Sequence, residues 1–183
     1  MKALLFRGML TGAIALLALT GSARAQDNDG CTNATLNGDY AFTISGQIFI
    51  PNGPTVQREG VAMTHFDGAG NLSQVDFVLS SPNAAPPPGP APTDPVTGFH
   101  NDEKGTYAVN SDCTGHFEID NPPLTTPSGV MVKGATIHVM FVLSNHGRAI
   151  HTIVTSITPP GAPSPVPALI RSEGYKLGRV DGD

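Results

Sequence analysis

Long and short connections alternate along this chain, and that alternation limits what it can fold into. Period-2 patterning marks eight extended segments, near residues 38–49, 55–66, 72–80, 102–110, 115–120, 132–144, 148–158 and 168–177. The links after the first, third, fifth and seventh are long or proline-rich: Ile50 to Pro54, Pro82 to Gly98, Asn121 to Gly129, and Pro159 to Pro167. The links after the second, fourth and sixth are tight, around Asp67–Asn71, Asn110–Gly115 and Ser144–Gly147. In an up-and-down sheet alternate links lie at opposite ends. The pattern therefore predicts an all-β chain forming a single antiparallel up-and-down eight-stranded barrel, with a closed floor and a loop-rimmed mouth. A β-sandwich is the alternative.

Within the strands the larger apolar set is expected to face inward. Tyr40, Phe42 and Ile44 alternate with Ala41, Thr43 and Ser45; Val75, Phe77 and Leu79 alternate with Gln74, Asp76 and Val78; Phe117 and Ile119 alternate with His116, Glu118 and Asp120. This rule gives an interior lining of Phe42, Ile44, Phe77, Tyr107, Phe117 and Phe141. It places Asp76 and Glu118 on solvated outer faces. A three-residue loop at Asn145-His146-Gly147 would set Phe141 opposite His151 and add His151 to the interior.

The first 25 residues read as a secretory signal: a basic start at Lys2 and Arg7, an apolar run from Met9 to Leu19, and Ala23-Arg24-Ala25 as the cleavage site. That run is too short for a membrane span, and no later stretch approaches the necessary length. A secreted or periplasmic protein is expected, with residues 26–183 as one β-barrel domain. Removing Lys2, Arg7 and Arg24 leaves seven basic residues against fifteen acidic ones. This balance, without a basic run, argues against nucleic acid or anionic lipid as partner. Cys31 and Cys113, an even pair in an oxidising compartment, are expected to bond. Both fall at the floor, where a bridge would pin the N-terminal segment under the barrel.

The stretch 82–97 carries seven prolines and cannot be a sheet strand. It reads as a semi-rigid loop at the mouth, and one route to a protein or envelope partner.

Signals for chemistry are sparse. Six histidines occur, but none in H-x-H or HExxH spacing, so no metal site is expected. His138 and His151 point to opposite faces in the three-residue register. A two-residue turn would put them on one face, yet roughly 10 Å apart. Asp76, Glu103, Glu118 and Glu173 are scattered, no serine sits in G-x-S-x-G, and no phosphate loop or dinucleotide fingerprint is present. No cofactor is expected.

The run Cys31-x-x-Ala34-x-x-x-Gly38-x-Tyr40-x-Phe42, then Phe66 to Asn71, then Gly105-Thr106-Tyr107 with Asp112-Cys113-Thr114-Gly115, resembles a set of secreted bacterial proteins with no assigned activity. More distantly the layout is similar to the calycin barrels, which include lipocalins. Gly38-Asp39-Tyr40 stands where their G-x-W element opens the first strand. Allene oxide cyclase and dirigent proteins share a comparable barrel. The first resemblance implies a periplasmic or extracellular bacterial protein, and the second concerns the fold; the loop-rimmed mouth and the inward apolar lining are what point to a barrel that holds a small, mostly apolar molecule. An exported scaffold acting through its proline-rich loops is the second reading. A cyclase or isomerase, with His151 moving a proton, is the third.

Overall fold

The structure, a computed structural model, describes residues 30–80 and 98–178. The leader 1–25 and the proline-rich loop 82–97 lie outside the described residues. A 3-10 turn, Asn33–Thr35, precedes ten strands: β1 Asn37–Phe49, β2 Thr55–Asp67, β3 Asn71–Ser80, β4 His100–Val109, β5 Thr114–Asp120, β6 Leu124–Thr125, β7 Met131–Val132, β8 Thr136–Ser144, β9 Ala149–Thr158 and β10 Val166–Lys176. Eight of them close an antiparallel barrel in the order β1-β10-β9-β8-β5-β4-β3-β2. The short β6 and β7 make a separate hairpin in the link between β5 and β8. The expected strand 132–144 is thus broken near Gly134. A Cβ there would sit 2.2 Å from the Asn121 carbonyl oxygen, so the chain passes too close to its neighbour for a side chain.

The tight turns do gather at one end. After β2, Asp67 Oδ1 accepts the backbone N–H groups of Ala69, Gly70 and Asn71 at 2.7–2.9 Å, and Oδ2 accepts the Asn71 amide at 2.7 Å. These bonds, that from the Asn71 side chain foremost, hold the Asp67 carboxyl down at about 2. They also fix the register, because Phe66 must pair with Leu72. The 3-10 turn plugs the same end. Leu36 is fully buried, Tyr107 Oη donates to the Leu36 carbonyl at 2.8 Å, and the Asn33 side chain accepts the Val109 N–H at 2.8 Å. Cys31 and Cys113 are disulfide-bonded across this floor.

Above the plug the interior is aromatic. Tyr40, Phe66, Tyr107, Phe117 and Phe141 form a connected chain with ring centroids 5.1–6.2 Å apart, mostly edge-to-face. Burying each such ring stabilises the fold by about 1.5–3 kcal/mol. Eight strands enclose a bore that side chains of this size fill, and this half of the barrel is a packed core. The outer wall carries Glu59, Lys104, Arg171 and Glu173 among exposed apolar residues such as Val61, Met63, Leu79, Met140 and Leu169. No helix among the described residues is long and apolar enough to cross a membrane.

Two inward expectations are corrected. On β3 the inner face is Leu72, Gln74, Asp76 and Val78, while Phe77 is 36% exposed on the outer wall. The Phe66–Leu72 pairing decides this: counting in twos from Leu72 carries Asp76 inside and Phe77 outside. The β8–β9 loop is also longer than three residues. Ser144 pairs with Ala149, so His151 lies opposite Val142 and points outward.

Candidate functional site

Five of the seven lining residues expected from sequence do face the interior. Phe42, Tyr107, Phe117 and Phe141 are buried in the core, and Ile44 packs against it. Phe77 lies outside, tilted against Phe99. His151 lies outside as well, on the ladder between Val142 and Glu173.

The unexpected feature is polar and internal. On the β2–β3–β4 wall, Thr64 Oγ1 donates to Gln74 Oε1 at 2.8 Å. Gln74 Nε2 donates to Glu103 Oε2 at 2.8 Å. Asn121, in the loop after β5, bonds the other oxygen of Glu103. Beside this row Asp76 Oδ1 meets His100 Nδ1 at 3.1 Å. Arg58, on β2, lies close enough to Asp76 for their charges to interact. Strand direction puts Arg58, Asp76, Glu103 and His100 in the mouthward half, with Thr64 and Gln74 deeper toward the floor, since β2 and β4 enter from the mouth and β3 leaves toward it.

A β-bulge makes the cluster possible. Gln74 pairs with Glu103 and Asp76 with His100, so two residues of β3 oppose three of β4. The extra residue reverses the alternation and brings both His100 and Glu103 to the interior, three positions apart.

Burial sets the electrostatics. Glu103 is 1% exposed. Desolvation, then the neighbouring Asp76, push its carboxyl up to about 8, against the bonds from Gln74 and Asn121. Near neutral pH it is a protonated acid. Desolvation also raises Asp76, with the His100 hydrogen bond opposing, and burial lowers the Arg58 guanidinium. A protonated Glu103 carries a donor as well as an acceptor. Two buried atoms have no partner among the described residues: Arg58 Nε and Asn121 Oδ1. Buried polar atoms are nearly always paired, so these two mark a place where a partner is missing. Buried apolar residues also line the mouthward strands, Ile48 on β1, Val56 on β2 beside Arg58, Val154 on β9 and Ile170 on β10.

The sequence held a signal for this cluster. The turn parity from Phe66 carries Gln74 and Asp76 inward, against the larger-residue rule. The bulge that admits His100 had no comparable signature. The most evident surface concavities lie elsewhere: one beneath the floor beside Cys31 and Ser111, the other on the outer wall beside Thr43, Arg171 and Glu173. Neither has the buried polar groups seen inside the barrel. Among the described residues no group of three or more His, Cys, Asp or Glu side chains is arranged to hold a metal ion.

No protein-family profile matches the chain, and no curated protein and no solved structure is detectably similar to it.

Proposed function

We propose that this is an exported barrel whose mouthward half holds a small, mostly apolar molecule with one polar head. The supporting observation is the buried polar row of Thr64, Gln74, Glu103, Asp76, His100 and Arg58 along one wall, with an unpaired atom on Arg58 and another on Asn121 beside Glu103. Such groups cost stability when buried without partners, and a ligand head supplies the partners. The head would donate toward Asn121 Oδ1 and accept from Arg58 Nε, as a hydroxyl-bearing ligand can. The apolar body would lie on Ile48, Val56, Val154 and Ile170, at about 25 cal/mol per Å² of surface removed from water. Export is supported by the basic, apolar and Ala-x-Ala order of the leader and by the disulfide. The proline-rich partner surface falls on residues 82–97, outside the described residues. The isomerase reading loses its interior His151.

Amide NMR during titration with a medium-chain alcohol tests this reading. Shifts should concentrate at Arg58, Asp76, His100 and Asn121 and leave Gly70 and Gly147 at the floor unmoved. Saturation without any shift at those mouthward positions would refute it.

A further inference from the structure

We propose that Ser144, His151 and Glu173 form a serine nucleophile site on the outer wall of the barrel, acting on carboxylic esters with an apolar acyl chain. Three adjacent strands supply the groups: the end of β8, β9 and β10. Ser144 Oγ lies 3.0 Å from His151 Nε2, and His151 Nδ1 bonds Glu173 Oε2. The directions are mutually consistent. A neutral imidazole protonated on Nδ1 donates to the carboxylate, which leaves Nε2 free to accept the serine proton. This is the nucleophile, base and orienting-acid relation that activates a hydroxyl. His65 and His138 also meet carboxylates, Asp39 and Glu118. Among the described residues, however, only His151 has a hydroxyl on its second ring nitrogen as well. That third member separates the site from an ordinary surface ion pair.

The local backbone holds Ser144 in place. Asn145, His146 and Gly147 all take positive φ, at 50°, 55° and 76°. Gly147 is required there twice over, because a Cβ would also lie 2.6 Å from the Thr35 carbonyl oxygen. Tyr40 Oη donates to the Gly147 carbonyl from inside the barrel. Lys176 N–H donates to the Arg148 carbonyl at 2.9 Å. The turn is therefore clamped by the plug, the core and β10, and a rigid support is what a positioned nucleophile needs. Mouthward of Ser144 the outer wall carries a short apolar strip, flanked by His116 on β5 and Arg171 on β10. Val142 lies opposite His151 and is 48% exposed, with exposed Met140 and Ile153 next along the ladder. An acyl chain laid on this strip points its carbonyl at Ser144.

In the reaction, Ser144 Oγ attacks the ester carbonyl carbon while His151 Nε2 takes the Oγ proton. The bond from carbon to the leaving oxygen breaks, His151 returns the proton to that oxygen, and the alcohol departs. Water then attacks the acyl-serine, giving a proton to His151. The acyl–Oγ bond breaks, the proton returns to Ser144, and the carboxylic acid leaves. Glu173 acts through His151 and is a positioning residue.

The test uses the full-length, disulfide-bonded protein with p-nitrophenyl octanoate, p-nitrophenyl acetate and a fluorophosphonate label. Wild-type protein should be labelled once, at Ser144 by peptide mass, and should hydrolyse octanoate faster than acetate. Ser144→Ala should abolish labelling, and His151→Ala should lower kcat/KM by about 10²–10⁴. Glu173→Gln should lower kcat at unchanged KM, with Glu173→Asp recovering part of it. The His151 and Glu173 side chains are 42% and 45% exposed, so these variants should keep the wild-type Tm, which serves as the folding control. Label on another residue, hydrolysis undiminished in Ser144→Ala, or no label at all would overturn the proposal. A preference for acetate would overturn the acyl-chain assignment.

Discussion

Replacing Glu103 with glutamine isolates what one buried acid does to this barrel. The side chain keeps its shape but can no longer ionise; its carbonyl oxygen still accepts from Gln74 Nε2, and its amide donates to Asn121 once that amide turns to present Oδ1. In the native protein the carboxyl stands at about 8 against an ordinary 4.5. Below about pH 4.5 native and unfolded chains both hold the proton, and the penalty is absent. Between there and about pH 8 the unfolded chain releases its proton while the native one keeps it, so stability falls as pH rises, by about 1.4 kcal/mol per pH unit. Across the full interval the loss reaches roughly 5 kcal/mol for this 1%-exposed group. Asp76 is raised for the same reason and adds a slope of the same sign, which the variant retains. Asp67, Asp112 and Asp120 are lowered and act at more acidic pH. Urea midpoints at pH 5.5, 6.5 and 7.5, at constant m, should show the wild type weakening and Glu103→Gln losing much less. The variant should therefore be the more stable protein at pH 7.5. Parallel midpoint curves for the two proteins would refute the burial argument.

Two further outcomes are expected. Replacing Cys31 and Cys113 together with alanine opens a loop of 82 residues and should cost about 4–5 kcal/mol by chain entropy, read from urea unfolding; an unchanged midpoint would mean the floor plug holds without it. At Gly174, a Cβ would lie 2.3 Å from Phe42 Cε1 and 2.6 Å from Ile150 Cγ2. Gly174→Ala should therefore lower stability by about 1–3 kcal/mol through overpacking, and an unaltered Tm would show that Phe42 yields.

The chain alone determined the eight strands of the barrel, their antiparallel order and the end at which the tight turns gather, because these follow from turn residues and period-2 spacing that are local; the short β6–β7 hairpin was not among them. The floor disulfide followed too, since the topology put both cysteines at that end. Only the tertiary structure decided which way certain strands face. On β3 the apolar Phe77 is outside and Asp76 inside, because cross-strand pairing with β2 outweighs the local rule that larger apolar residues go in. A four-residue turn at Asn145–Arg148 reversed His151, and a bulge in β4 admitted His100. One residue more or less in a ladder inverts every side chain beyond it, and ladder length is set by partners distant in the chain. The buried acids of the mouth and the Ser144–His151–Glu173 alignment both depend on that inversion.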